Sequence, residues 1–321
     1  MTVQQSTYAR PRASLGVAFQ EYDTDGMECI ATDVLPELEV QEESSTISVV
    51  TREGLLKRAD PKRGSGGTYN RIDTETEDKD YTCKDYGLEG RLPDEKRKKF
   101  ATDFDAEEVT VKTLHTKMAI EQEIRAAAAV FNTTTWDTGN AALYTDNSGS
   151  PWDNIATKII AQVLAAVEKV RANTGVTPNA LVLSKAQLVN ILQNTEILSR
   201  FPGAAVITKK MLEGALASIF GLDKLVVGGQ VYDSAKEGQA FVGSDVWSDD
   251  YAMVAKVAQK GDSMETPCIG RTCVWAPDAP EIITVEQYRE EQTRSDVFRT
   301  RQYVTELICD AYFGHLMKVD A

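Results

Sequence analysis

Apolar residues recur on two different periods along the chain, and the change between them marks its parts. Between Asp105 and Phe131, the residues Val111, Leu114, Met118, Ile124, Ala128 and Phe131 recur at three-to-four spacing, with one step skipped across Glu121. Asp105 and Glu108 form a capping-box-like start, Ala126 to Ala129 raise helix propensity, and Thr133 to Thr135 with Gly139 end the pattern. The spacing predicts a single helix about 40 Å long at ~1.5 Å per residue, the length of a strut. A polar loop over 136–151 follows. Beyond it the pattern predicts helices from Ile155 to Arg171, Lys185 to Gln193 and Lys209 to Phe220, alternating with buried strands at Ala180–Leu183 and Lys224–Val227. Leu198 to Gly203 reads as a turn. From Gln239 the period falls to two. Strands are predicted at Ala240–Gly243, Tyr251–Ala255, Thr272–Ala276, Ile282–Tyr288 and Val297–Ile308, the last two forming a long hairpin.

One stretch has no core pattern. Thr46–Val50 reads as a strand, but between Lys57 and Asp80 only Ala59, Tyr69 and Ile72 are apolar or aromatic, Pro61 aside. Gly64-Ser65-Gly66-Gly67 forms a tip. Arg52, Lys57, Arg58, Lys62 and Arg63 precede it, and Asp73, Glu75, Glu77, Asp78 and Asp80 follow it. Such a segment cannot bury enough apolar surface to offset the entropy of ordering it. It is either a solvated linker or a two-stranded loop whose charged arms attract each other or a neighbouring chain. The run Asp94–Lys99 reads as a solvated face, because a nucleic-acid patch would interleave aromatics and only Phe100 is adjacent. Residues 1–45 mix short apolar patches with polar ones, punctuated by Pro11 and Pro36, and read as an arm that lies on something else.

Composition narrows the chemistry. A length of 321 residues allows one large domain or two modest ones. A net charge of −14 argues against a surface built to neutralise phosphates. No apolar run approaches the ~20 residues that span a bilayer, and Met1–Phe19 lacks a continuous apolar stretch. A cytosolic folding site with no membrane partner is therefore expected. The five cysteines are scattered, and Cys268 and Cys273 have no second pair or nearby histidine, so free thiols are expected rather than zinc. Phosphate-loop, dinucleotide-fingerprint and zinc-protease motifs are absent. His115 and His315 read as packed or surface residues, not bases. Pairs such as Glu107-Glu108 and Asp249-Asp250 arise by chance among 49 acidic residues. Trp136, Trp152, Trp247 and Trp275 read as plugs at the edges of a core. No catalytic, cofactor-binding or metal-binding residue is predicted, and the chain is expected not to be an enzyme.

The order of the parts is an arm, a charged loop, a strut helix, an α/β body and a terminal hairpin. This order resembles the major capsid proteins of tailed bacteriophages, whose fold is named after phage HK97. The stretches most similar to that family are Asn173 to Ser184 (N-T-G-V-T-P-N-A-L-V-L-S), Phe220 to Gly228, and Gly270 to Ile283. The resemblance implies an α+β fold with an N-terminal arm (1–45), an extended β-hairpin E-loop (46–100), and an α/β A-domain (136–276). Its P-domain would join a spine helix (101–135) to C-terminal strands (277–321).

The resemblance further implies a structural subunit of an icosahedral phage head, assembling with itself into pentamers and hexamers that enclose double-stranded DNA without reading its sequence. The E-loop would lie over a neighbouring subunit, with Arg52, Lys57, Arg58, Lys62, Arg63, Asp73, Glu75 and Glu77 at the contact. Portal, scaffolding and decoration proteins would be further partners, the virion the location, and the host cytoplasm the place of assembly. No crosslinking Lys–Asn pair maps onto the chain. Without a charged helical prefix, a separate scaffolding protein, or none, is expected. Two other readings stay open: an encapsulin-like nanocompartment shell of the same fold, and a soluble α/β enzyme or binding module.

Overall fold

The computed structural model describes residues 10–11, 28–50, 56–63, 67–69, 71–72, 76–100, 106–200, 209–263, 266–278 and 281–320. In chain order the first elements are β1 (Arg10–Pro11), α1 (Ala31–Val34), β2 (Glu37–Val40), β3 (Ser44–Val50), β4 (Thr76–Thr82), β5 (Lys84–Pro93), α2 (Asp94–Phe100) and α3 (Ala106–Val130). Next come β6 (Tyr144–Asp146), α4 (Ile159–Thr174), β7 (Ala180–Ser184), α5 (Lys185–Gln193), α6 (Thr195–Arg200), α7 (Lys209–Phe220) and β8 (Lys224–Gly228). The last are β9 (Val231–Asp233), β10 (Gly243–Asp245), β11 (Tyr251–Ala255), β12 (Gly270–Trp275), β13 (Thr284–Glu290), β14 (Ser295–Ile308) and β15 (Gly314–Lys318).

The first sheet is built on β14. Strand β5 runs antiparallel along one edge of it, from Pro93 opposite Ser295 to Lys84 opposite Val304. Strands β13 and β12 share the other edge end to end. β2 then adds parallel to β12, and β1 antiparallel to β13. Helix α3 lies on this sheet, where Val111 and Leu114 pack with Leu92, Val285 and Phe298. A Cβ at Gly90 would sit 2.8 Å from Thr110 Cγ2, so the missing side chain is what lets the helix lie this close to β5. On the opposite face, Glu89, Arg299 and Glu286 form a charged row across three strands, with Arg299 Nη2 2.6 Å from Glu89 and Nη1 3.6 Å from Glu286.

The buried stripe of α3 differs from the expected one. It runs Val111, Leu114, Met118, Gln122, Ala126, Val130, while Ala128 is exposed. The helix keeps its period through polar positions because those side chains find partners. Gln122 Oε1 accepts from Gln302 Nε2 at 3.1 Å. Glu123 accepts from the backbone N–H of Ala31 and, at 2.8 Å, from Trp247 Nε1. Burial pushes the Glu123 carboxyl upward, and these donors oppose the shift.

The second sheet has the order β6-β15-β11-β7-β8. Strand β7 is buried throughout, and its alternate residues serve two cores. Leu181 and Leu183 face α4, α5 and α7 with Ile159, Val163, Ile191 and Phe220. Ala180 and Val182 face a core shared with Val34, Leu35, Trp136 and Trp247, which joins α1 and the end of α3 to this sheet. Helix α4 ends at Gly175, whose left-handed φ of 73° lets its N–H reach the Arg171 carbonyl.

Two strands pair across the expected domain boundaries. β15, within 277–321, leaves β14 and enters the second sheet between β6 and β11. The chain breaks after Ile308, turns through a short 3₁₀ segment at Ala311–Phe313 capped by Asp310, and then buries Gly314–Met317 as a central strand must. β12, within 136–276, belongs to the first sheet. Locally, Leu198–Arg200 lies in a helix, Thr195–Arg200, where a turn over Leu198 to Gly203 was expected; residues 201–203 lie outside the described ones. Ala240–Val242 lies outside the strands, and Phe241 and Val242 are exposed.

Candidate assembly surface

The coreless stretch becomes a two-stranded ribbon with a buried root and an exposed shaft. β3 and β4 pair antiparallel from Ser44 opposite Thr82 to Val50 opposite Thr76. At the root, Val40, Tyr81, Cys83 and Cys273 form a small core flanked by Trp275 and Tyr303. Trp275 and Tyr303 meet edge to face at 4.8 Å. Tyr303 donates to Glu43 at 2.8 Å, and that carboxylate pushes the phenol up to about 12. Tyr81 donates to the Glu42 carbonyl at 3.2 Å, and Trp275 Nε1 to the Gln41 carbonyl at 3.2 Å.

Along the shaft, hydroxyl–carboxylate hydrogen bonds join the two strands. Thr46 donates to Asp80 and Ser48 to Asp78, each at 2.7 Å. These rungs were legible as hydroxyls at every second residue facing aspartates at every second residue, a period-two match that the reading of Asp78 and Asp80 as bulk acidic charge overlooked. Beyond the shaft, Leu56–Arg63, Gly67–Tyr69, Arg71 and Ile72 are all exposed. Tyr69 is 74% and Ile72 71% accessible, so the segment's two largest apolar groups bury almost nothing.

The predicted contact residues fall unevenly on this surface. Arg52, Asp73 and Glu75 lie outside the described residues, as does the tip at 64–66. Lys57, Arg58 and Lys62 are exposed and form no ion pair among the described residues. Arg63 lies 4.4 Å over the Tyr69 ring and donates to the Gly67 carbonyl at 2.6 Å. Glu77 is not joined to these cations. Its carboxylate lies 3.5 Å from Lys79 on its own strand. Lys57, Arg58 and Lys62 are thus presented outward, while Arg63 is engaged within the loop.

The run Asp94–Lys99 is more than a solvated face. It forms α2, and Arg97 reaches both Glu107 and Asp296. Arg289 holds Asp94 at 2.6 Å and keeps that carboxyl below its usual range. These contacts fix α2 to the first sheet beside α3.

A cleft of about 490 Å³ lies between α4 and the second sheet, with Thr145, Asn154, Lys158, Gln162 and Lys169 among its walls. Beneath it His315 is fully buried. Its Nδ1 lies 2.9 Å from the Ala142 carbonyl, which can only accept, so Nδ1 carries the proton. Nε2 therefore accepts from Thr145 Oγ1 at 2.8 Å, and that oxygen accepts from Lys169 Nζ at 2.6 Å. Burial pulls His315 down to about 4. Both ring nitrogens are committed, and the chain ties β6, β15 and α4 together. Trp136, Trp152 and Trp247 are fully buried, in keeping with their reading as core plugs. Among the described residues no cluster of His, Cys, Asp and Glu is arranged to hold a metal ion, and no helix is long and apolar enough to cross a membrane.

Neither a family profile nor a curated protein matches the chain by sequence. Solved structures do match by fold. A phage-related protein from Bordetella bronchiseptica superposes with a TM-score of 0.71 at 19% identity, covering 97% of each chain. The capsid structure of cyanophage P-SCSP1u gives 0.58 at 8% identity over 100% of this chain and 91% of that one. An encapsulin complex from Synechococcus elongatus gives 0.51 at 10% identity, over 90% and 86%. The chain has the HK97-like α+β capsid fold along nearly its whole length.

Proposed function

We propose that this chain is the structural subunit of an icosahedral phage head, assembling with itself into pentamers and hexamers around double-stranded DNA. The observation that carries the reading is the ribbon: a folded protrusion with a buried root, an exposed shaft and outward cations, on a chain with the capsid fold. Its order needs surface that its own chain does not supply, and a neighbouring copy supplies it. Each such contact is modest, and closed rings sum many of them. The E-loop contact would use Lys57, Arg58, Lys62 and Arg63 together with Arg52, Asp73, Glu75 and Glu77. The acidic balance suits a container that lets DNA slide instead of gripping it. Portal, scaffolding and decoration proteins are proposed as further partners, with assembly in the host cytoplasm and residence in the virion. No catalytic step is proposed.

Negative-stain microscopy of the expressed chain tests this. Closed particles, tubes or capsomers are expected, supplied with a scaffolding protein if one is required. A chain that stays monomeric at high concentration under those conditions contradicts it. The encapsulin match supports a second reading, a nanocompartment shell. Contents of purified particles separate the two: nuclease-protected DNA favours the phage head, enclosed protein the nanocompartment.

A further inference from the structure

We propose that Cys268 and Cys309 are a site of reversible oxidation, closing an intrachain disulfide that clasps the two chain crossings between the sheets. Residues 256–269 lead from β11 to β12, and residues 309–313 lead from β14 to β15. The two crossings lie side by side. Lys256 N donates to the Phe313 carbonyl at 2.8 Å, Ile269 N to the Lys256 carbonyl at 2.8 Å, and Cys309 N to the Ile269 carbonyl at 2.9 Å. Cys309 is the first residue past β14 and Cys268 stands just before β12; the Cys309 N–H on the Ile269 carbonyl sets the two cysteines on adjoining crossings, and Cys268 Sγ donates to the Gly270 carbonyl at 3.6 Å.

The surroundings favour a thiolate here. Arg271 is buried, held by Nη1 on the Asp262 carbonyl at 2.8 Å and Nη2 on the Ser263 carbonyl at 2.6 Å. Its charge acts on both sulfurs. The Cys309 hydrogen bond, with Arg271, pulls Cys268 down to about 7 against its burial. Cys309 is pushed up, first by the Cys268 hydrogen bond and then by burial. Of the two, Cys268 is thus the readier to lose its proton. Cys309 is half-buried, and Cys268 is buried. Cys83 and Cys273 are also neighbours, with Cys83 Sγ 3.8 Å from the Cys273 carbonyl. Burial pushes those thiols up to about 11 and about 12, which leaves them protonated and slow.

With a low-molecular-weight disulfide as oxidant, the pair's thiolate attacks one oxidant sulfur and expels the other as a thiolate. The second cysteine then attacks the mixed disulfide and expels the remaining half. Two electrons and two protons pass from the cysteines to the oxidant, which leaves as two thiols. The new bond joins the crossings and fixes one sheet against the other. This inference concerns the single subunit and stands or falls without any particle.

The test is to incubate the reduced full chain with oxidised glutathione at mildly alkaline pH, quench in acid, and map the peptides without reduction. A Cys268–Cys309 link that dithiothreitol removes is expected, with titratable thiols in the unfolded chain falling from five to three. The thermal midpoint should rise on oxidation, and the rise should vanish in Cys309→Ser. Five persistent thiols, a glutathione adduct that goes no further, a link to Cys83 or Cys273, or an unshifted midpoint overturns the proposal. If Cys309→Ser does not fold, peptide mapping of the unaltered chain decides.

Discussion

Strand β7 buries all its residues between two cores, whereas β4 buries only Tyr81 at the ribbon's root. The two strands have the same backbone hydrogen-bonding needs and similar lengths. What differs is where the ordering energy originates. The leucines of β7 leave water against helices of their own chain. The Asp78 and Asp80 side chains of β4 meet only hydroxyls across a thin ribbon. Part of this molecule is therefore self-sufficient, and part, on the reading proposed above, is completed by a neighbouring copy.

Substitutions in the two strands should separate these regimes. Leu183→Ala removes a fully buried side chain and should cost ~2–5 kcal/mol in denaturant unfolding. A cost under about 1 kcal/mol would break the comparison on the β7 side.

A change of pH should act through a group buried in the body. His315 is held near 4 in the folded chain against 6.5 unfolded. Between those values the unfolded chain binds the proton and the folded chain does not. Stability should therefore be intact above about 6.5, decline on the order of 3 kcal/mol as pH falls toward about 4, and level off below. In His315→Gln that part of the slope should disappear from unfolding curves taken across the range.

The ribbon's rungs should matter least to stability. Ser48→Ala, which removes the bond to Asp78, should shift unfolding by no more than about 0.5 kcal/mol. Reversing charge at Arg58, Lys62 and Arg63 should leave the unfolding midpoint in place yet weaken assembly, more so at low salt where screening is weak. Light scattering at two ionic strengths reads this. Equal loss at both would move the contact off these cations.

The elements that were legible in the sequence are those whose order comes from local pattern. The spine helix followed from Val111, Leu114 and Met118, and β7 from an unbroken apolar run. Gln122 and Glu123 were hidden because a polar residue at a buried position is defined by its distant partner, here Gln302, Ala31 and Trp247. Helix α6 was overlooked because only Ile197 is buried in it, although Asn194, which accepts from Glu196 N at 3.0 Å, was a readable cap. The sheet that β15 joins was not readable, since strand partners lie far away in sequence. The ribbon was visible as a lack of core. Its hydroxyl–aspartate rungs could be read from their period-two match, whereas its aromatic root was visible only once Tyr81, Trp275 and Tyr303 came together.

Sedimentation velocity on two chains, the full sequence and one lacking Lys57 to Asp80, tests the central claim most directly. The full chain should sediment as capsomers or closed particles. The shortened chain should sediment as a small folded species with the same thermal midpoint, since the deletion removes almost no buried apolar surface. A shortened chain that still assembles, or one that unfolds, would contradict the division of this molecule into a self-sufficient body and a ribbon completed by its neighbour.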